Sequence, residues 1–109
     1  MKLITKELEA RFKEVGSQED KPLKEQIVIA KFFNPQGRGT WYLTEYDPET
    51  QIAFGFVSIF GDHNDEWGDF AVWELQEIKL PPFGLGIERD IHWEETPADK
   101  VETIRRGTL

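Results

Sequence analysis

The chain has 109 residues, enough for one core and too few for two, and its eight Phe, four Trp and two Tyr supply large apolar groups within a hydrophobic content of 39%. It has no cysteine, which excludes a disulfide framework and any thiolate metal site and points to a cytoplasmic setting. Its net charge of −8 argues against direct nucleic acid binding, which Lys and Arg drive by displacing counterions from phosphates.

Met1-Lys2-Leu3-Ile4-Thr5-Lys6-Glu7 interrupts its apolar character with charge and so lacks a signal-peptide core. Ile4, Leu8, Phe12 and Val15 then fall on one stripe of an amphipathic helix over Lys6 to Val15, with Thr5 as N-cap and Gly16 as stop. Ser17 to Glu25 is polar, contains Pro22 and reads as a loop. Ile27 to Phe33 reads as a strand, followed by the turn Asn34-Pro35-Gln36-Gly37-Arg38-Gly39 and a second strand from Thr40 to Tyr46, a hairpin. Asp47-Pro48-Glu49-Thr50 carries the signature of a type I turn and leads into a third strand, Gln51 to Phe60. Both faces of that strand are apolar, which predicts a central position, with Gly55 marking a bulge or a close approach. Its 12-residue stretch without charge, Thr50 to Gly61, is well short of the roughly 20 residues of a spanning helix, so no membrane partner is expected.

Gly61 to Gly68 reads as an acidic loop, Asp69 to Val72 as a short fourth strand, and Trp73 to Lys79 as a short helix with Leu75 and Ile78 inward. Leu80-Pro81-Pro82-Phe83-Gly84 is expected to run extended, and Ile87 to Trp93 to return as an edge strand. Thr96-Pro97-Ala98-Asp99 resembles a capped helix start, with the helix running through Arg106 to a stop at Gly107. The expected fold is therefore a single α+β domain over 1–109: an antiparallel β-meander of four to five strands with an N-terminal helix and short helices after the fourth strand and at the C-terminus.

The charge is unevenly placed. Glu45, Asp47, Glu49, Asp62, Asp65, Glu66, Asp69, Glu74 and Glu77 lie in a stretch without Lys or Arg, while the rest of the chain has 12 acids against 13 bases. The spacing of Asp62-His63-Asn64-Asp65-Glu66 does not match a calcium loop, and a solvated hairpin loop outweighs a transition-metal site using His63. Glu45, Asp47, Glu74 and Asp90 are candidates for paired-carboxylate chemistry. Glu45 and Asp47 would share a sheet face with Leu43 and Trp41. A structural account outweighs chemistry: Asp47 starts a turn, Glu45 pairs with a base such as Arg89, and Glu74 lies in the first turn of a helix. Gly37-Arg38-Gly39 lacks the Lys-Ser or Lys-Thr of a phosphate loop, and the aromatic residues lack the basic groove of a base-stacking platform. Arg89 is expected in an ion pair with the acidic segment. No catalytic residue, metal ligand or cofactor is assigned. The expected binding residues are Trp41, Glu45, Asp47, Asp62, Asp65, Glu66, Asp69 and Arg89.

At Ala30-Lys31-Phe32-Phe33, Thr40-Trp41-Tyr42-Leu43-Thr44-Glu45-Tyr46-Asp47-Pro48, Phe54-Gly55 and Leu85-Gly86-Ile87-Glu88-Arg89-Asp90, the chain resembles a family of small bacterial proteins, the domain-of-unknown-function family 2958. The similarity runs through nearly the whole length. It implies carriage by plasmids and integrated mobile elements, and no activity. The family often has Ser where this chain has Ala71, so the capping box ending at Glu74 is incomplete here. The function expected is a non-enzymatic interaction module whose acidic face engages a basic protein, by imitating DNA or as a conjugation or anti-restriction accessory. The alternative is a metal-assisted hydrolase or nuclease using Glu45, Asp47 and Asp90.

Overall fold

The computed structural model describes residues 1–61 and 64–108. An N-terminal helix, α1 (Lys6–Val15), precedes a sheet made from β2 (Ala30–Phe33), β3 (Thr40–Asp47), β4 (Ile52–Ser58), β5 (Glu66–Ala71) and β6 (Glu88–Arg89) in the order β5-β4-β3-β2-β6. Every pairing in it is antiparallel, and β4 is interior, as its two apolar faces require. A separate two-stranded ladder joins β1 (Ile27–Val28) to β7 (Thr96–Pro97). Two further helices, α2 (Val72–Glu77) and α3 (Glu102–Thr108), complete the α+β fold, together with single 3-10 turns at Leu23–Glu25 and Ala98–Lys100. Among the described residues, no helix is long and apolar enough to cross a membrane.

Helix α1 starts and stops for the expected reasons. The Thr5 side chain accepts a hydrogen bond from the Leu8 N–H at 3.1 Å, and Gly16 ends the helix at φ 69° with its N–H on the Phe12 carbonyl. Helix α2 has no side-chain cap at Ala71; the Val72 N–H instead donates to the Gln51 carbonyl at 2.9 Å. That bond continues the β4–β5 ladder into the first helical residue.

The sheet is covered on both faces. One face packs Ala30, Phe32, Trp41, Leu43 and Ala53 against Leu3, Ile4 and Phe12 from the N-terminal segment and Val72 and Leu75 from α2. The other packs Tyr42 and Phe56 against Ala98, Val101 and Ile104 near the C-terminus. Burying these aliphatic and aromatic groups contributes roughly 1.5–3 kcal/mol each, so the two clusters dominate the stability of the fold.

Several sequence expectations need correction. The strand expected over Ile27 to Phe33 breaks at Ile29, because β1 turns away to pair with β7 while the Ile29 N–H still donates to the Leu43 carbonyl at 2.8 Å. The fourth strand begins at Glu66, three residues earlier than expected. Leu80 to Gly84 is not extended: the Leu80 carbonyl accepts from the Gly84 and Leu85 N–H groups, closing a tight loop that contains a cis Pro81–Pro82 bond. The return after it is strand only at Glu88–Arg89, with the Asp90 N–H still donating to the Lys31 carbonyl at 2.9 Å. At the C-terminus Thr96 and Pro97 are strand, and the Thr96 hydroxyl donates to the Glu94 carbonyl instead of capping a helix. The helix begins at Glu102 and runs past Gly107. A Cβ at Gly107 would lie 2.7 Å from the Phe56 ring, so that glycine permits close packing and does not serve as a stop.

Candidate functional site: an acidic cleft at a bulged strand

Side chains alternate between the faces of a strand, so Trp41, Leu43 and Glu45 would share a face if β3 were regular. It is not. The register passes from Leu43 opposite Gly55 to Glu45 opposite Phe54, leaving Thr44 as an extra residue. This bulge moves Glu45 and Asp47 onto the face of Tyr42, away from Trp41 and Leu43, and overturns the shared face expected from spacing. Gly55 makes the bulge possible, because a Cβ there would lie 1.8 Å from the Tyr42 carbonyl oxygen.

The bulge is held by Gln18, which is 1% exposed. Its side-chain NH2 donates to the Thr44 carbonyl at 2.8 Å and the Ile27 carbonyl at 3.0 Å, while its Oε1 accepts from the Ile27 N–H at 2.6 Å. The Gln18 backbone N–H donates to Glu45 Oε2 at 3.0 Å, which orients the carboxylate. One glutamine therefore ties the segment after α1 to β1 and to the bulge, and aims an acidic side chain. Nothing in its local sequence signals this, since it lies in a polar stretch that reads as a loop.

Glu45, Phe54 and Asp69 form one row across β3, β4 and β5 on the same sheet face. Two clefts meet along that row. The larger, about 760 Å³, passes Lys13, Asp47, Glu49 and Thr50 at the end of the β3–β4 hairpin. The smaller, about 420 Å³, lies under Glu19, Lys21, Pro22, Leu23 and Gln26. Glu45, Asp47, Glu49 and Asp69 thus surround a continuous recess with Phe54 in both linings, and Lys13 and Lys21 are its lining cations among the described residues. Beside it, burial and then the charges of Glu9 and Asp47 push the Tyr46 hydroxyl above its ordinary pKa.

Apart from Asp47, which lines the hairpin end of the cleft, the remaining expected binding residues lie elsewhere. Trp41 is 8% exposed and packed in the core. Asp47 is exposed and accepts from the Glu49 N–H at 2.9 Å, as a turn-starting residue does. Asp65 is buried and accepts from the Ser58 hydroxyl at 2.8 Å. Glu66 is exposed at the start of β5 but pairs with Val57, on the opposite face from Asp69. Asp62 and His63 lie outside the described residues. Glu74 and Glu77 are exposed on α2. The single acidic field expected from the central stretch is therefore divided, and four of its carboxylates converge on the cleft.

Arg89 corrects another expectation. Its guanidinium donates to the carbonyls of Lys2 at 2.6 Å and Leu3 at 2.9 Å, so it holds the N-terminal segment and does not pair with Glu45. Asp90 lies beyond β6, 4.0 Å from Lys31, and lines a different cleft from Glu45 and Asp47. Among the described residues, no group of three or more His, Asp or Glu side chains is arranged to hold a metal ion.

A family model described as a protein of unknown function (DUF2958) matches residues 3–99. No curated protein and no solved structure matches the chain.

Proposed function

The chain belongs to the DUF2958 family, and from that premise we propose that it is a non-enzymatic interaction module of a bacterial mobile genetic element, acting in the cytoplasm and binding a basic segment of a protein partner. The observation that carries this reading is the convergence of Glu45, Asp47, Glu49 and Asp69 on one recess floored in part by an aromatic ring. Carboxylates around a concave, partly apolar surface attract a cationic chain and give its side chains something to pack on. Among the described residues, Asp65 is buried and Glu66, Glu74 and Glu77 line neither arm of the recess, so capture of a short basic segment is better supported than imitation of a long DNA duplex. The mobile-element setting rests on the family resemblance alone.

The test is binding of labelled Lys- and Arg-rich peptides to the full chain at low and high salt, with the Asp47→Asn/Glu49→Gln double variant alongside. Saturable binding that weakens with salt, and weakens again in the variant, is the expected result. Binding indifferent to both changes would remove the reading.

A further inference from the structure

Gln26, which lines the smaller arm of the recess, carries a polar atom that the fold leaves unsatisfied. Gln26 is 3% exposed, and its NH2 group is committed to the Gln18 carbonyl at 3.1 Å and the Lys21 carbonyl at 3.3 Å. These two bonds fix which end of the amide is oxygen. That oxygen, Oε1, is buried without a hydrogen-bond partner, although Gln26 lines the recess. A buried acceptor without a donor is costly, and native folds rarely keep one without a reason.

The surroundings define which donor would suit. Glu19, Glu45 and Asp69 place three carboxylates around this arm against the single ammonium of Lys21, so a cationic donor is favoured. One oxygen of Glu45 accepts from the Gln18 N–H, which leaves the other available to a ligand. Glu45 and Asp69 stand on the strands either side of Phe54, and Phe54 is itself backed by Trp67, with ring centroids 5.9 Å apart and planes 21° apart. A flat cation laid on that ring meets a carboxylate on each side. An ammonium is compact and strongly hydrated, with three donors at one point. A guanidinium is planar, more weakly hydrated, stacks on aromatic rings and directs five N–H groups outward in its plane.

We propose that this arm of the recess, formed by Gln26, Glu45, Phe54 and Asp69, is a pocket for the guanidinium of an arginine side chain presented by the partner. The inference rests on the basic-segment reading and refines it: the cleft selects arginine over lysine, with Gln26 Oε1 and the two carboxylates as acceptors and Phe54 as the stacking surface.

The test is an NMR titration of the full chain with N-acetyl-argininamide and its lysine and citrulline counterparts, following the Gln26 side-chain amide and the Phe54 and Asp69 backbone signals. The arginine compound should move these signals saturably, the lysine compound should bind about tenfold more weakly, and uncharged citrulline should leave them unmoved. Asp69→Asn, at an exposed position, should weaken arginine binding about fivefold or more while the backbone spectrum stays folded. Glu45→Gln, which keeps an acceptor for the Gln18 N–H, provides a second variant with the same expected direction. Equal response to arginine and lysine, or binding unchanged in both variants, overturns the pocket. If basic peptides still bind through Asp47 and Glu49 while the Gln26 amide stays unmoved, the pocket falls and the basic-segment reading survives. If no basic peptide binds at all, both fall.

Discussion

The Gln18 side chain donates to the carbonyl of Thr44 across 2.8 Å, at the residue where β3 bulges and changes the direction of every side chain after it. That bond couples the loop after α1 to the face on which Glu45 is displayed. The integrity of the cleft therefore depends on an uncharged residue outside it.

Replacing Gln18 with Met keeps approximate length but removes the partners of the Ile27 N–H and of the Ile27 and Thr44 carbonyls. Loss of about 2–4 kcal/mol is expected from leaving such groups unsatisfied in the interior. Urea unfolding of the two proteins measures it, and a difference under about 0.5 kcal/mol would show that the clamp contributes little.

Gly55 and Gly68 pair across β4 and β5, yet they should respond differently to alanine. The Cβ of Gly55→Ala would meet the Tyr42 carbonyl at 1.8 Å, whereas that of Gly68→Ala meets nothing within 4 Å. Gly55→Ala should cost about 3 kcal/mol or prevent folding, and Gly68→Ala should stay within about 1 kcal/mol of the parent. Thermal melts of the pair provide the check, and equal melting temperatures would contradict a close approach at the bulge.

Arg89 holds the N-terminal backbone through two charge-assisted bonds to the Lys2 and Leu3 carbonyls. Arg89→Met should lower stability by about 1–3 kcal/mol and speed amide exchange at residues 2–5, with little change around Glu45. Hydrogen exchange that altered at the cleft and not at the N-terminus would contradict this placement.

Arg11 on α1 grips Glu95 with two bonds, Nε to Oε2 at 2.7 Å and Nη2 to Oε1 at 2.8 Å. The hydrogen bond from Arg11, with its charge assisting, holds the Glu95 carboxyl below its ordinary value of 4.5. A carboxyl that binds its proton more weakly when folded contributes stability that is present above the unfolded value and is lost as pH falls through the lower folded one. The Glu95→Gln variant should thus differ from the parent at neutral pH and converge with it in strong acid. The pair is exposed enough for salt to screen it, so the neutral-pH difference should be small and shrink in 1 M NaCl. Denaturation midpoints across pH 2–7 provide the check; a gap that widens toward acid would reverse the assignment.

Helix α1 and the two hairpin turns were legible in the sequence because their signals are local. Thr5 and Gly16 act on neighbouring backbone groups, and Asp47 accepts from an N–H two residues away. The interior position of β4 was equally open to reading, since apolar residues on both faces of a strand must be covered on both faces. These features need only the chain's own periodicity and short-range hydrogen bonding, and the α+β meander follows from them.

What the tertiary structure alone decided is which residues meet. A single extra residue at Thr44 reversed the face of Glu45, and no nearest-neighbour pattern records it, because its cause is a glycine on the next strand and a glutamine after a distant helix. Charge alone assigns Arg89 to the acidic segment, yet its guanidinium bonds backbone carbonyls at the far end of the chain. Sequence determines the kinds of element and their polarity through local forces. Side-chain partnerships between segments far apart depend on register and packing, and here those partnerships shape the cleft.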